Sequence, residues 1–267
     1  MSFITLLTDW GESSYYVGVV KSVIKQINPS ADIIDITHGI TPFQVREAMH
    51  ILFRAFPDFP RGTIFLVVVD AGVGTSRKPL ALELDNTSFL VGPDNGLFTL
   101  LCEQYGTKHC VEIQNHQYTY KPIPSSTFHG RDIFAPASAY LSRGLSLHKL
   151  GNTIEHLQTL PITPPKIHEN TITGEIAFYD HFGNLETNLP QSLLDTLNLA
   201  IDTPLTLTIS GKQYSGLYTK TYEDVSPPLF TVHPDSSGCL EIALYQGNAQ
   251  EKTGAHSGDK VEIQVTT

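Results

Sequence analysis

The sequence predicts an α/β protein. An N-terminal parallel-sheet domain, Rossmann-like and three-layered, spans residues 1–160, and a small antiparallel β-barrel or sandwich spans 168–267. Three observations carry this. From Phe3 to Val69, short apolar runs alternate with stretches of helical periodicity. One run, Thr63-Ile64-Phe65-Leu66-Val67-Val68-Val69, is almost continuously apolar and β-branched, as a strand buried on both faces must be. Beyond Pro161, Pro164 and Pro165 the texture changes to short alternating segments punctuated by turn residues.

Phe3–Thr8 is a short strand that runs into Asp9-Trp10-Gly11. Val17, Val20, Val23, Ile24 and Ile27 then recur at helical spacing, with Ser13 or Ser14 as N-cap and Pro29 as terminator. Asp32–Ile36 is the second strand, ending at Thr37-His38-Gly39. Thr41-Pro42 predicts an N-cap with proline at the first helical position, opening a helix through Val45, Met49, Leu52, Phe53 and Phe56. The third strand is the apolar run, closing in Asp70-Ala71-Gly72-Val73-Gly74 with Arg77 just beyond. Strand-helix-strand-helix-strand with short links implies parallel pairing through right-handed crossovers. All three strand ends then share one edge, which collects Asp9, Trp10, His38, Asp70 and Arg77. In open α/β sheets that edge is where ligands bind.

Leu80–Leu84 and Ser88–Val91 flank a turn at Asp85-Asn86, and Gly92-Pro93-Asp94-Asn95-Gly96 leads to a helix around Leu97–Tyr105. After Val111–Ile113 a polar, irregular stretch ends at Ser125–Asp132, and a helix follows through Phe134, Ala137, Tyr140 and Leu141. In the second domain, strands are expected at Thr171–Tyr179, Leu205–Ile209, Lys212–Leu217, Gly238–Tyr245 and Lys260–Thr266.

Composition narrows the partners. The 267 residues are 40% apolar and 16% charged, with 17 basic against 27 acidic side chains and a net charge of −10. Without a dense basic patch, nucleic acid and anionic membranes are excluded, and a small, cationic ligand is favoured. Cys102, Cys110 and Cys239 make no metal-type pair and an odd set for disulfides. No apolar run nears the roughly 18 residues of a membrane span, and the N-terminus lacks a secretory layout, so a cytoplasmic home is expected. There is no Gly-x-Gly-x-x-Gly after the first strand, no phosphate-cradling Gly-Lys-Ser/Thr loop, no Gly-x-Ser-x-Gly elbow and no zinc-type Cys/His spacing.

Several residues have both a structural and a chemical reading. Asp70 either caps its turn or faces a ligand. Asp9 either complements a helix N-terminus or accepts from a ribose diol. Trp10, the single Trp, either packs in the core or covers a ring or cation. His38 reads as a satisfied loop histidine. His129 sits after Thr127 and Phe128 in a loop with no apolar reason to hold an imidazole. With Asp70 and Arg77 it would supply an acceptor, a fixed cation and a titratable group able to bind and polarise one water. In the second domain Asp180 could hold an ammonium and Asn184 a hydrogen-bonding edge, while Ser236-Ser237 and Asn248-Ala249 are backbone-rich turns. Glu241 alternates with Leu240 and Ile242, which assigns it to a solvated face.

Taken together, these stretches resemble the S-adenosyl-L-methionine (SAM) hydrolases, or SAM hydroxide adenosyltransferases, relatives of the fluorinases and chlorinases. The matching pieces run nearly end to end. They are Thr8-Asp9-Trp10-Gly11 with Tyr16-Val17-Gly18, Asp35-Ile36-Thr37-His38, Phe59–Thr63, Val69–Gly74, Gly92–Gly96 and Ser126–Asp132. Asp180–Asn184, Leu240–Ala243 and Gly247-Asn248-Ala249 follow in the second domain. The resemblance implies a water-activating set at Asp70, Arg77 and His129 and a ribose-binding acid at Asp9, beside Trp10, Thr127 and Phe128. It also implies methionine and adenine contacts from Asp180, Asn184, Ser236, Ser237, Asn248 and Ala249.

It further implies a homotrimer whose sites lie between subunits, SAM and water as substrates, and no metal or redox cofactor. Two departures are present. Ala71 replaces a usual proline and Ser14 a usual acid. The halide-using relatives lack the histidine that His129 matches, which favours water as nucleophile. A halide transferase on the same scaffold and a non-catalytic adenosine or SAM sensor are the competing expectations.

Overall fold

The structure, a computed structural model, describes residues 3–266. The chain forms two compact units, Met1–Leu160 and Pro161–Thr267. The first is built on β1 (Phe3–Thr8), α1 (Tyr15–Ile27), β2 (Asp32–Thr37), α2 (Val45–Ala55), β3 (Ile64–Val68), β4 (Pro79–Leu84), β5 (Phe89–Pro93), α3 (Thr99–Tyr105), β6 (Thr107–Ile113), α4 (Ala135–Ser142) and β7 (Gly151–Thr153).

Its seven-stranded sheet runs β2-β1-β3-β5-β4-β6-β7. The pairs β1–β2, β1–β3 and β3–β5 are parallel, and β4 is antiparallel to both neighbours. Alternation along β3 divides its side chains between two cores. Ile64, Leu66 and Val68 pack with Val20, Val23 and Ile24 of α1 and Ala137 and Leu141 of α4. Phe65, Val67 and the following Val69 pack with Ala48 and Leu52 of α2 and Leu101 of α3. That is the three-layer arrangement expected, and it explains why this strand tolerates no polar residue on either face.

The chain leaves β1 for β2 on one side, then returns past β1 to β3 on the other. The crevice between the carboxyl ends of β1 and β3 is therefore a topological switch point, the usual ligand position in such sheets.

One local expectation holds and one changes. Ser14 is the N-cap of α1, accepting from the Tyr16 amide at 3.2 Å, so the serine at this departure has a structural use. Helix α2 does not open at Thr41-Pro42 but at Val45. The Thr41 amide donates instead to Glu47 Oε1 at 3.2 Å, and Phe43 turns to φ +68°, which no helix accommodates.

The second unit contains β8 (Lys166–His168), β9 (Thr171–Tyr179), β10 (Leu185–Pro190), α5 (Gln191–Asp195), β11 (Pro204–Ile209), β12 (Lys212–Tyr218), β13 (Phe230–Pro234), β14 (Cys239–Ala243), α6 (Ala249–Thr253) and β15 (Lys260–Val265). Its sheet order is β10-β14-β13-β12-β11-β15-β9-β8, and a β9–β10 pairing closes seven of these strands into a barrel. All pairs are antiparallel except β12–β13, which are parallel, a departure from the all-antiparallel expectation. Ile172, Leu185, Leu207, Val232, Ile242 and Ile263 fill the interior. Among the described residues no disulfide is formed, and burial pushes the Cys110 thiol up to about 12, leaving it unreactive at neutral pH.

Candidate active site

Asp70 lies just past β3, at the switch point. The loop then reverses so that Arg77 folds back onto it: Nε donates to Asp70 Oδ1 at 3.0 Å, and one terminal nitrogen to Oδ2. Both side chains are nearly out of solvent, at 6% for Arg77 and 5% for Asp70. The same arginine nitrogen reaches His129 Nδ1 at 3.0 Å. Arginine has no acceptor, so Nδ1 accepts and the imidazole proton resides on Nε2. The other terminal nitrogen of Arg77, Nη1, is buried without a hydrogen-bond partner. A buried, unspent cationic donor is a costly feature unless a ligand or water fills it.

His129 is carried by the Ser125–His129 loop and precedes a π-helical turn at Gly130–Phe134. Asp132, fully buried, ties this turn to its loop by accepting from the Ser125 amide at 2.7 Å and from Arg131 Nε at 2.6 Å. Gly74, at φ +78°, lies against the Ser126 carbonyl so closely that a Cβ there would stand 2.3 Å from the oxygen. The Asp70–Arg77 loop and the His129 loop are thus clamped backbone to backbone. Burial first, then the adjacent Arg77 charge, holds the His129 imidazole below its ordinary range, so it is neutral at pH 7.

Asp9 follows β1 on the same edge. Burial raises its carboxyl above the usual range, and the nearby Asp70 charge adds to this, while its Oδ2 accepts from the Phe43 amide at 2.9 Å. Trp10 makes edge contacts with Tyr16 and Phe128, at ring separations of 6.1 and 5.8 Å. It also packs against the core and against Gly130, where a Cβ would lie 2.7 Å from the indole. Thr127 is exposed, its hydroxyl 3.1 Å from Ser125 Oγ, and the Arg131 guanidinium lies 5.1 Å over the Phe128 ring. His38 is buried, with Nδ1 2.8 Å from Thr8 Oγ1 and Nε2 3.2 Å from Asp35 Oδ1, a bracing role under the Asp9 loop.

The residue missed in the sequence is Phe43. The residue is 66% exposed, its backbone is left-handed, and its amide is fixed by the candidate ribose acid. Only the Thr-Pro before it hinted at a turn rather than a helix.

In the second unit the Asp180 turn is built by its own carboxylate. Oδ1 accepts from the Phe182 and Asn184 amides at 2.9 and 2.8 Å, and Oδ2 from Asn184 Nδ2 at 3.0 Å. Asn248 caps α6, accepting from the Glu251 amide, and its side chain lies against Gly183. The Gln250 amide donates to the Gly183 carbonyl at 2.9 Å, so the Asp180–Asn184 and Asn248–Ala249 turns are brought together. Ser236 and Ser237 are exposed in the β13–β14 turn, and the Ser237 hydroxyl donates to Asp235 at 2.7 Å.

Glu241 corrects the sequence reading. It is 3% exposed, not solvated. Although desolvation opposes its charge, hydrogen bonds from His233, Glu186 and Tyr222 hold it below the usual carboxylate range. Asp180, Glu186 and Glu241 offer carboxylate oxygens all within 4.8 Å of one another, the one group among the described residues with metal-type spacing.

Residues 4–151 match the SAM hydroxide adenosyltransferase N-terminal domain and residues 174–262 its C-terminal domain. The chain is 33% identical over 264 residues to the (R)-S-adenosyl-L-methionine hydrolase of Salinispora tropica, covering 98% of this chain and 97% of that one. It is 33% identical over 263 residues to the enzyme of that name from Thermus thermophilus, covering 96% and 97%. A fluorinase from an Actinoplanes species is 26% identical over 234 residues, 78% of each chain. Among solved structures, a conserved protein of Thermotoga maritima superposes with a TM-score of 0.91 at 46% identity, covering 98% of this chain and all of that one. With both halves of its length matched in order by one family's two domains, this chain belongs to the SAM hydroxide adenosyltransferase family.

Proposed function

We propose that this protein hydrolyses S-adenosyl-L-methionine to adenosine and L-methionine. The observation that carries the reading is the buried Asp70–Arg77–His129 contact set with one arginine nitrogen, Nη1, unspent. In the proposed reaction a water oxygen held by this set attacks C5′ in line with the C–S bond. The C–O bond forms as the C–S bond breaks, and the bonding pair leaves on sulfur. Methionine departs as a neutral thioether, so neither a general acid nor a Lewis acid is needed. The water proton passes to Asp70 and on to solvent, because His129 Nδ1 is already engaged by Arg77. Holding nucleophile and carbon in one geometry is worth roughly 7–11 kcal/mol in favourable cases.

Asp9 would accept from the ribose diol, flanked by Trp10, Thr127 and Phe128. Asp180 would take the α-ammonium, with Asn184, Ser236, Ser237, Asn248 and Ala249 completing the methionine and adenine contacts. The α/β domain thus carries the water site and the β domain the substrate's ends. We extend the proposal to a cytoplasmic homotrimer with sites between subunits. The exposed residues Tyr15 and Phe43 near the Asp9 edge, at 71% and 66%, suit cover by a neighbouring chain. Among the described residues no helix is long and apolar enough to cross a membrane. Light scattering tests the trimer, and a monomer fully active at all concentrations refutes it.

The deciding experiment is chromatography of purified protein incubated with SAM and a chelator. Adenosine and methionine in equal amounts are expected. A 5′-halo-5′-deoxyadenosine product with added chloride or fluoride would transfer the reading to halide chemistry. Tight calorimetric binding with ligand unchanged after long incubation would make the protein a sensor.

A further inference from the structure

The stretch Gly92–Gly96 closes β5 and turns the chain toward α3. It lies beside both ends of the Asp70–Arg77 loop. At the first end, Asn95 Nδ2 donates to the Val69 carbonyl at 2.8 Å. Asn95 Oδ1 accepts from the Leu97 amide at 3.3 Å, so the carboxamide is fixed in one sense, with its donor side toward β3. At the second end, the Asp94 amide donates to the Lys78 carbonyl at 2.9 Å. Adjacent residues of one turn thus hold the residue before Asp70 and the residue after Arg77.

Sheet pairing does not reach the first of these points. The β1–β3 ladder ends at Thr8–Val68 and the β3–β5 ladder at Leu66–Val91, so Val69 lies past the last paired residue on either side. It is buried all the same, and a buried carbonyl needs a donor. Asn95 supplies one. Gly92 makes the approach possible, since a Cβ there would stand 2.3 Å from the Val67 carbonyl oxygen.

The Val69 carbonyl and the Asp70 nitrogen belong to one planar peptide unit. Fixing that oxygen therefore fixes the angle at which Asp70 leaves the sheet. Arg77 and Asp70 hold each other through two hydrogen bonds, which sets the pair but not its place. The loop joining them is exposed at Ala71 and at residues 74–76, so its ends carry most of its placement. We propose that Asn95, together with the Asp94 amide, is a positioning residue that sets the Asp70–Arg77 pair relative to His129 and to the carbon under attack. The proposal rests on the hydrolase reading.

The test uses the full chain and three variants, assayed with SAM where circular dichroism shows each one folded. Asn95→Ala should lower kcat roughly 10²-fold, the cost of misplacing a reacting group by about 1 Å. KM and the adenosine Kd should stay within about threefold of the parent. Asn95→Asp carries the distinguishing signal. Ionised, it faces the Val69 carbonyl with no donor, whereas protonated it regains one O–H. Its kcat relative to the parent should climb as pH falls from about 8 to 5, while that of Asn95→Ala stays level.

Thr99→Val is the structural control. The Thr99 hydroxyl braces the same turn from its other side, donating to the Gly96 carbonyl at 2.7 Å and accepting from the Leu160 amide at 3.0 Å. Its loss should lower stability in urea but leave kcat within about threefold. Three results overturn the proposal while leaving SAM hydrolysis intact: an Asn95→Ala kcat within about threefold of the parent, a level pH ratio for Asn95→Asp, or a Thr99→Val kcat as low as that of Asn95→Ala. If Asn95→Ala does not fold, the Asn95→Asp profile decides. If the parent does not cleave SAM, the hydrolase reading fails separately and hydrogen exchange decides the clamp. The Val73 and Thr75 amides, bonded to the Asp70 and Gly72 carbonyls, should then exchange about fivefold faster or more in Asn95→Ala and at the parent rate in Thr99→Val. Equal rates in all three proteins would end it.

Discussion

Replacing Arg77 by methionine separates what the guanidinium does for folding from what it does for chemistry. The side chain is 6% exposed and its partner Asp70 5%, so the substitution leaves a carboxylate buried without its cation. Breaking a buried pair from one side costs about 3–5 kcal/mol of stability. The same change removes the donor to His129 Nδ1 and the unspent Nη1 nitrogen. Loss of one preorganised donor of this kind lowers kcat by roughly 10²–10³-fold.

Adding Asp70→Asn to Arg77→Met removes the stranded charge. The double variant should therefore recover much of the lost stability and none of the lost turnover. Urea unfolding gives the first quantity, and adenosine release measured by chromatography gives the second. Adenosine should still bind both variants, since the Asp9 carboxylate is held by the Phe43 amide rather than by Arg77. If Arg77→Met turns over within a few-fold of the parent, or if activity returns with stability in the double variant, the water-clamp argument is wrong.

Gly74→Ala should destabilise by about 1–3 kcal/mol or more, because a Cβ meets backbone rather than a yielding side chain. It should also raise the susceptibility of the Ser125–His129 loop to proteolysis. Asp9→Asn should raise the melting temperature at pH 7 while weakening adenosine binding in calorimetry. Its folded-state carboxyl is raised, so the folded chain binds more protons than the unfolded one just above the ordinary value, and ionising Asp9 there costs stability.

For His129 the sign is opposite. Its imidazole is held low in the folded state, so the unfolded chain takes up the proton first as pH falls through about 6.5. Its contribution is complete above that value and declines below it until the folded group also protonates. Parent stability should thus fall more steeply than that of His129→Gln between the two values, in unfolding curves recorded across pH. Turnover should persist to lower pH than a free imidazole would allow.

The first half of the fold was legible because β1, α1, β2 and β3 each carry a simple apolar period, and because right-handed crossovers make the strands parallel with their ends on one edge; the order β2-β1-β3 came from the structure. The start of α2 was not. Phe43 is diverted by a carboxylate thirty-four residues earlier, and no local pattern encodes that. In the second unit β8, β10 and β13 were not anticipated. Leu185-Glu186-Thr187-Asn188 and Thr231-Val232-His233 mix apolar and polar side chains, yet Glu186, Thr187, Thr231 and His233 are all buried, which no polar/apolar pattern announces. Glu241 was assigned to solvent for the same reason. Alternation identifies two faces of a strand but not what later covers the second. The Asp70–Arg77 pairing was readable from seven-residue proximity, whereas the contact with His129 spans fifty-two positions, and residue chemistry alone offered that trio only beside an equal capping reading until the resemblance was added.

Phe43 has one more consequence. A bulky, largely exposed residue held at φ +68° stores roughly 1–2 kcal/mol that glycine there would release. Selection for robustness alone would have removed it. Phe43→Gly should accordingly yield a hardier protein with a poorer grip on its ligand, and the difference between those two effects measures what the organism gives up in durability to keep an aromatic ring beside Asp9.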